Sequence, residues 1–254
     1  MKKQTRIISF SGKGGTGKTT TASLFVKAVK SLGLCDQILV IDADPDANLA
    51  TTLNVKYETT IGEAVDKRKK TLDEGVAGEK LRADFYDAVY HGDYFDFVVM
   101  GRRKGAGCYC TINSVLNNIF SETMNMYDLV IIDFDAGLEH FSRGTGSNSD
   151  TLIIVCDQSK LSFETAERIT DMVDELNLPY SNKCMIGCRY DEKNKPIMEE
   201  LAGRLGVDVL GFVGYDQEIA SLNLAGKGID AISDDNAALD AVKEMVKKIL
   251  SEPA

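Results

Sequence analysis

The chain has 254 residues, 44% hydrophobic and 27% charged, a globular composition long enough to bury a substantial core. Its 39 acidic against 29 basic side chains give a net charge of −10, which argues against sequence-independent DNA binding, because counterion release needs a basic face. No apolar run approaches the roughly 20 residues that span a bilayer, and no apolar signal segment precedes the first strand. The expectation is a cytoplasmic protein with no membrane and no nucleic-acid partner, built as a single domain over residues 1–254.

Residues 6–10 read as a strand, and residues 20–32 as a helix with Ala22, Phe25, Val26, Val29 and Leu32 on one face. Between them stands Gly12-Lys13-Gly14-Gly15-Thr16-Gly17-Lys18-Thr19, which fills the pattern G-x-x-x-x-G-K-[ST] in the strand–helix setting where that pattern has a mechanism. Glycines let backbone N–H groups close around phosphate oxygens, and the helix N-terminus adds partial positive charge. Lys18 would reach the outer phosphates, and Thr19 would offer its hydroxyl to Mg²⁺. The motif therefore reads as a site for a nucleoside triphosphate; the competing reading is an ordinary glycine-rich turn.

Residues 38–41 are a buried-type strand that ends in Asp42-Ala43-Asp44-Pro45-Asp46-Ala47-Asn48. Carboxylates at the C-terminal end of such a strand face the ligand crevice, and Pro45 stops the strand; a helix-capping cluster is the alternative. Residues 56–94 are polar. Stretches around 61–65 and 81–91 read as helices, and the run Asp66-Lys67-Arg68-Lys69-Lys70 as a solvated helix end. Residues 95–100 form the next strand, followed by a glycine-rich turn through Cys108-Tyr109-Cys110 and a helix from Thr111 to about residue 120.

Residues 127–133 read as a strand ending in Asp133, an acid placed to hold Mg²⁺. Residues 151–156 are another strand, before a helix headed by Ser162. Residues 185–188 and 207–213 complete the strands; Gly214-Tyr215-Asp216 leads into a short helix, and residues 237–250 form a closing one. This alternation predicts an α/β fold with a mostly parallel sheet of about seven to eight strands flanked by helices.

The string from Lys13 through Thr20 resembles the deviant Walker A motif of the MinD/ParA/nitrogenase iron protein group of P-loop NTPases. The resemblance implies a homodimer with ATP between its subunits, in which Lys13 contacts the partner's nucleotide. It makes Gly12 through Thr20, with Asp133, the nucleotide-binding residues. Asp44 becomes the residue that orients or activates the attacking water, and Lys13, Lys18 and Asp44 the catalytic set. Thr19, Asp44 and Asp133 surround Mg²⁺, and the loop after Asp133 senses the terminal phosphate. One departure stands out: the strand that in relatives ends in an adenine-reading Asn here ends in Gly187-Cys188.

The six cysteines, Cys35, Cys108, Cys110, Cys156, Cys184 and Cys188, are too few and scattered for a disulfide scaffold. Cys108 and Cys110 cannot complete a tetrahedral site alone, but a two-fold axis would bring two pairs together as four thiolates, a donor set for Zn²⁺ or Ni²⁺. Arg102, Arg103 and Lys104 nearby would favour the thiolate form. Inert packing, a redox pair and an iron–sulfur ligand pair compete with that reading, although the iron protein takes a second cysteine from the segment after its Walker B acid, and residues 133–146 hold none. The turn from Gly101 to Cys110, together with Ala136 through Gly144, resembles the CooC-type nickel-maturation ATPases of carbon monoxide dehydrogenase and acetyl-CoA synthase. That resemblance implies Ni²⁺ or Zn²⁺ held between subunits by Cys108 and Cys110, and a nickel enzyme as client. A MinD/ParA-like positioning switch is the runner-up.

Overall fold

A computed structural model describes residues 5–68, 77–101, 110–135, 150–178 and 180–251. Eight strands form one sheet in the order β3-β4-β2-β5-β1-β6-β7-β8. They are β1 (Arg6–Ser11), β2 (Ile38–Ala43), β3 (Tyr90–His91), β4 (Asp96–Val99), β5 (Leu129–Phe134), β6 (Thr151–Cys156), β7 (Asn182–Cys188) and β8 (Asp208–Val213). All neighbours pair in parallel except β3 with β4. This is the α/β sheet expected from the alternation of apolar runs and helical stretches.

The central strands β5 and β6 are buried along their whole length, and β2 up to its last residue, because helices cover both faces of the sheet. On one face lie α1 (Lys18–Leu32) and α9 (Ala237–Ser251), around a core that includes Phe10, Phe25, Val29, Leu239 and Val242. The Phe10 and Phe25 rings meet edge-on with centroids 5.0 Å apart, so β1 and α1 are locked together on either side of the loop that joins them. On the other face lie α3 (Ile61–Arg68), α4 (Ala77–Asp87), α5 (Cys110–Met124), α6 (Lys160–Glu175) and α7 (Lys195–Leu205). Phe85 of α4 and Phe120 of α5 stack edge-on at 4.8 Å, and Arg82 pairs with Glu122 beside them. Short α2 (Asn48–Thr52) follows β2, and α8 (Gln217–Leu224) follows β8.

Several elements differ from the sequence reading, among them the short helix α2, which was not expected. The helix expected over 81–91 ends at Asp87, and Tyr90–His91 turns back as an antiparallel edge strand. The helix expected to start at Ser162 begins at Lys160: the Ser159 hydroxyl accepts from the Ser162 N–H and caps it. Helix α7, with Pro196 in its first turn, was not expected at all.

Candidate functional site

Register assembles the site. Strand β5 lies between β1 and β2, with Phe10 opposite Asp133 on one side and Asp42 opposite Asp133 on the other. The three C-terminal strand ends, and the loops that leave them, therefore meet at one crevice. A cavity of about 670 Å³ opens there, from the phosphate loop and Asp44 to Arg189, Tyr215 and α8. Carboxyl ends of parallel strands are where open α/β sheets bind ligands.

The loop from Gly12 to Thr19 can exist only because of its glycines. A Cβ on Gly12 would sit 2.4 Å from the Val155 carbonyl oxygen, so the loop passes against β6 with no room for a side chain. Gly17 has φ 101° and forms the N-cap of α1, so the helix N-terminus opens into the cavity. Lys18, 7% exposed, has its Nζ 3.8 Å from Asp133 Oδ1 and 3.9 Å from Asp44 Oδ2. Thr19 Oγ1 donates to Asp133 Oδ2 at 2.7 Å. Lys13 is half-buried, and its Nζ donates to the carbonyl of its neighbour Gly14 at 3.3 Å.

Asp133 is fully buried, and its Oδ1 has no hydrogen-bond partner among the described residues. Burial pushes its carboxyl up to about 6, while Lys18 and Thr19 pull against that shift. A buried carboxylate oxygen that makes no hydrogen bond, with the Lys18 ammonium 3.8 Å away and a threonine hydroxyl and the Asp44 carboxylate beside it, fits a hard divalent cation such as Mg²⁺, with nucleotide oxygens and water completing its shell.

Asp42, to which the sequence reading gave no separate role, anchors the loop that follows β2. It is fully buried, and burial and the neighbouring Asp133 push its carboxyl up to about 7. Its Oδ1 accepts from the Asp44 N–H at 3.2 Å, and its Oδ2 from Leu49 and Ala50 at 2.9 and 3.3 Å. Both ends of the Asp44–Asn48 loop are thereby tied to one side chain, which sets where the Asp44 carboxylate stands. The only available signal was an acid at the end of an apolar strand.

The far end of the cavity is bounded by Cys188, Arg189, Tyr215 and α8. Cys188 backs onto Gly17 and lies 3.4 Å from the Thr21 hydroxyl; burial pushes its thiol up to about 11, so it remains protonated and packs as a small apolar group. Of the pair Cys108 and Cys110, only Cys110 falls within the described residues, as the first residue of α5. Cys108, Tyr109, residues 102–107 and the segment 136–149 lie outside them. Among the described residues, no three His, Cys, Asp or Glu side chains are grouped to hold a metal, and no helix is long and apolar enough to cross a membrane.

Comparison with known proteins places this geometry. The family model described as an AAA domain matches residues 5–186. An uncharacterized ATP-binding protein of Methanocaldococcus jannaschii is 36% identical over 252 residues, covering 97% of this chain and 99% of that protein. The carbon monoxide dehydrogenase accessory protein CooC of Rhodospirillum rubrum is 27% identical over 246 residues, 86% of this chain and 87% of its own. Among solved structures, the MinD cell division protein of Aquifex aeolicus superposes with a TM-score of 0.71 at 19% identity, over 98% of each chain. With its motif, its sheet and its relatives in agreement, the chain belongs to the AAA-domain family and has the fold of the MinD cell division protein.

Proposed function

We propose that this ATPase works as a homodimer that carries Ni²⁺, or Zn²⁺ in its place, between two copies of Cys108-Tyr109-Cys110, and delivers nickel to a carbon monoxide dehydrogenase-type or acetyl-CoA synthase-type client. The observation that carries the reading is the CooC likeness over 86% of the chain, in a sequence that holds a paired-thiol turn. The fold supports a link between that turn and the nucleotide. Strand β4, which leads into the turn, pairs with β2, and the Met100 N–H donates to the Asp42 carbonyl at 2.8 Å. Met100, just ahead of residues 102–109, thus lies beside the strand that leads to Asp44.

In this mechanism the loop N–H groups and the α1 N-terminus receive the phosphates, and Lys18 turns from its two carboxylates to the outer phosphate oxygens. Asp44, fixed by Asp42, orients the attacking water. Lys13 of each copy reaches the nucleotide of the other. Thr19 and Asp133, near Asp44, would hold Mg²⁺, which would neutralise charge on the phosphates. The cargo site and the dimer are tested by anaerobic Ni²⁺ titration with molar mass followed by light scattering. One cysteine-dependent metal per two chains, lost in a Cys108→Ala/Cys110→Ala variant, supports the reading. No cysteine-dependent binding, with ATP-dependent pelleting on lipid vesicles or DNA instead, would make the chain a MinD/ParA-like positioning switch.

A further inference from the structure

We propose that Arg189 is a positioning residue for the phosphate loop: braced by Asp157, its guanidinium holds the Gly15–Thr16 peptide with the N–H turned into the hollow of the loop. The proposal rests on the ATPase assignment and adds a residue far from the nucleotide motif in the sequence. Arg189 directly follows β7, with φ 57°, in the left-handed region that a non-glycine residue adopts uncommonly. Its N–H is tied to the Val213 carbonyl at 2.8 Å, so pairing between β7 and β8 fixes that backbone. The side chain turns back over the loop, where Nη2 donates to the Gly15 carbonyl.

The same nitrogen lies 3.7 Å from Asp157 Oδ2. Asp157 is itself immobilised: its Oδ1 accepts from the Ser159 N–H at 3.0 Å, its N–H donates to Ser162 Oγ at 3.1 Å, and its carbonyl accepts from the Tyr190 hydroxyl at 3.1 Å. The chain of contacts therefore runs from the start of α6, through a fixed carboxylate and a guanidinium, to the tip of the phosphate loop.

The carbonyl and N–H of a trans peptide point in opposite directions. Drawing the Gly15 carbonyl toward Arg189 turns the Thr16 N–H the opposite way, where it donates to the Lys13 carbonyl at 3.2 Å, a bond that a phosphate oxygen would replace. An inward N–H is the donor that a phosphate oxygen in the hollow requires. Gly15, at φ 85° and with nothing within 4 Å of where a Cβ would stand, has no side chain to resist rotation of that peptide. The brace supplies the resistance.

The test is calorimetric binding of Mg-ADP and of Mg-tripolyphosphate to the full chain, with melting temperatures measured without ligand. Arg189→Ala is expected to weaken both ligands by about tenfold, as loss of a charge-assisted hydrogen bond would. Arg189→Lys should recover most of that loss, Asp157→Asn should cost about two- to threefold, and melting temperatures should stay within about 2 °C. Unchanged affinities in Arg189→Ala would overturn the proposal. So would a loss confined to Mg-ADP, which would assign Arg189 to the nucleoside, or a melting temperature that falls along with the affinity. A wild-type chain that binds neither ligand would overturn the underlying nucleotide site, so the two failures are told apart.

Discussion

The phosphate loop carries two lysines five positions apart, and their surroundings differ as much as two like charges in one loop can. Lys18 is 7% exposed and sits within 4 Å of Asp44 and Asp133, so its charge is held inside this chain's own site. Lys13 is half-buried, and its ammonium donates to the carbonyl of the next residue, a contact that any lysine at a loop tip can make. The lesson is that one motif contributes two separable functions. Lys18 completes a site within a single chain, whereas the proposed dimer would give Lys13 its use at the nucleotide of a second copy.

The largest effect should come from Lys18. Lys18→Ala removes the buried cation facing the phosphates and leaves two carboxylates without it; nucleotide affinity should fall by about two to three orders of magnitude, read by calorimetry. Lys13→Ala sharpens the contrast: turnover should fall about 10²- to 10³-fold while ADP binding by the single chain changes less than about threefold. Equal losses of affinity in the two variants would erase the distinction. Asp44→Ala should keep nucleotide binding and slow hydrolysis about 10²-fold in a phosphate-release assay, because its carboxylate acts on the water rather than on the ligand. Asp42→Asn is the mildest. An amide offers one acceptor oxygen where the carboxylate offers two, so one loop end loses its tie, and kcat should fall about tenfold with KM for ATP nearly constant. A KM change without a kcat change would show that Asp42 does not act through Asp44.

The same split between local and distant explains what could be read from the chain before it was folded. Gly12 through Thr19 and Asp133 were legible because their chemistry is written at fixed spacing next to apolar strands. The sheet was legible because its central strands are continuous apolar runs, as burial on both faces demands. Asp42 was not legible, because its role depends on the register that sets it against Asp133 and on a loop that folds back to present Leu49 and Ala50. Arg189 was still further from view, since its partner Gly15 is 174 positions away and its side-chain direction follows from a left-handed backbone. The edge strand Tyr90–His91 was missed because the helical pattern of α4 runs on past Asp87, and two residues are too few to show alternation.

The dimer built around Lys13 is the central claim, and molar mass in solution tests it most directly. Asp44→Ala, which binds ATP and stalls, should run in light scattering with Mg-ATP at twice the chain mass. Adding Lys13→Ala should return it to the mass of one chain with ATP still bound. A single-chain mass for Asp44→Ala saturated with Mg-ATP, or a dimer that persists unchanged without Lys13, would contradict the account.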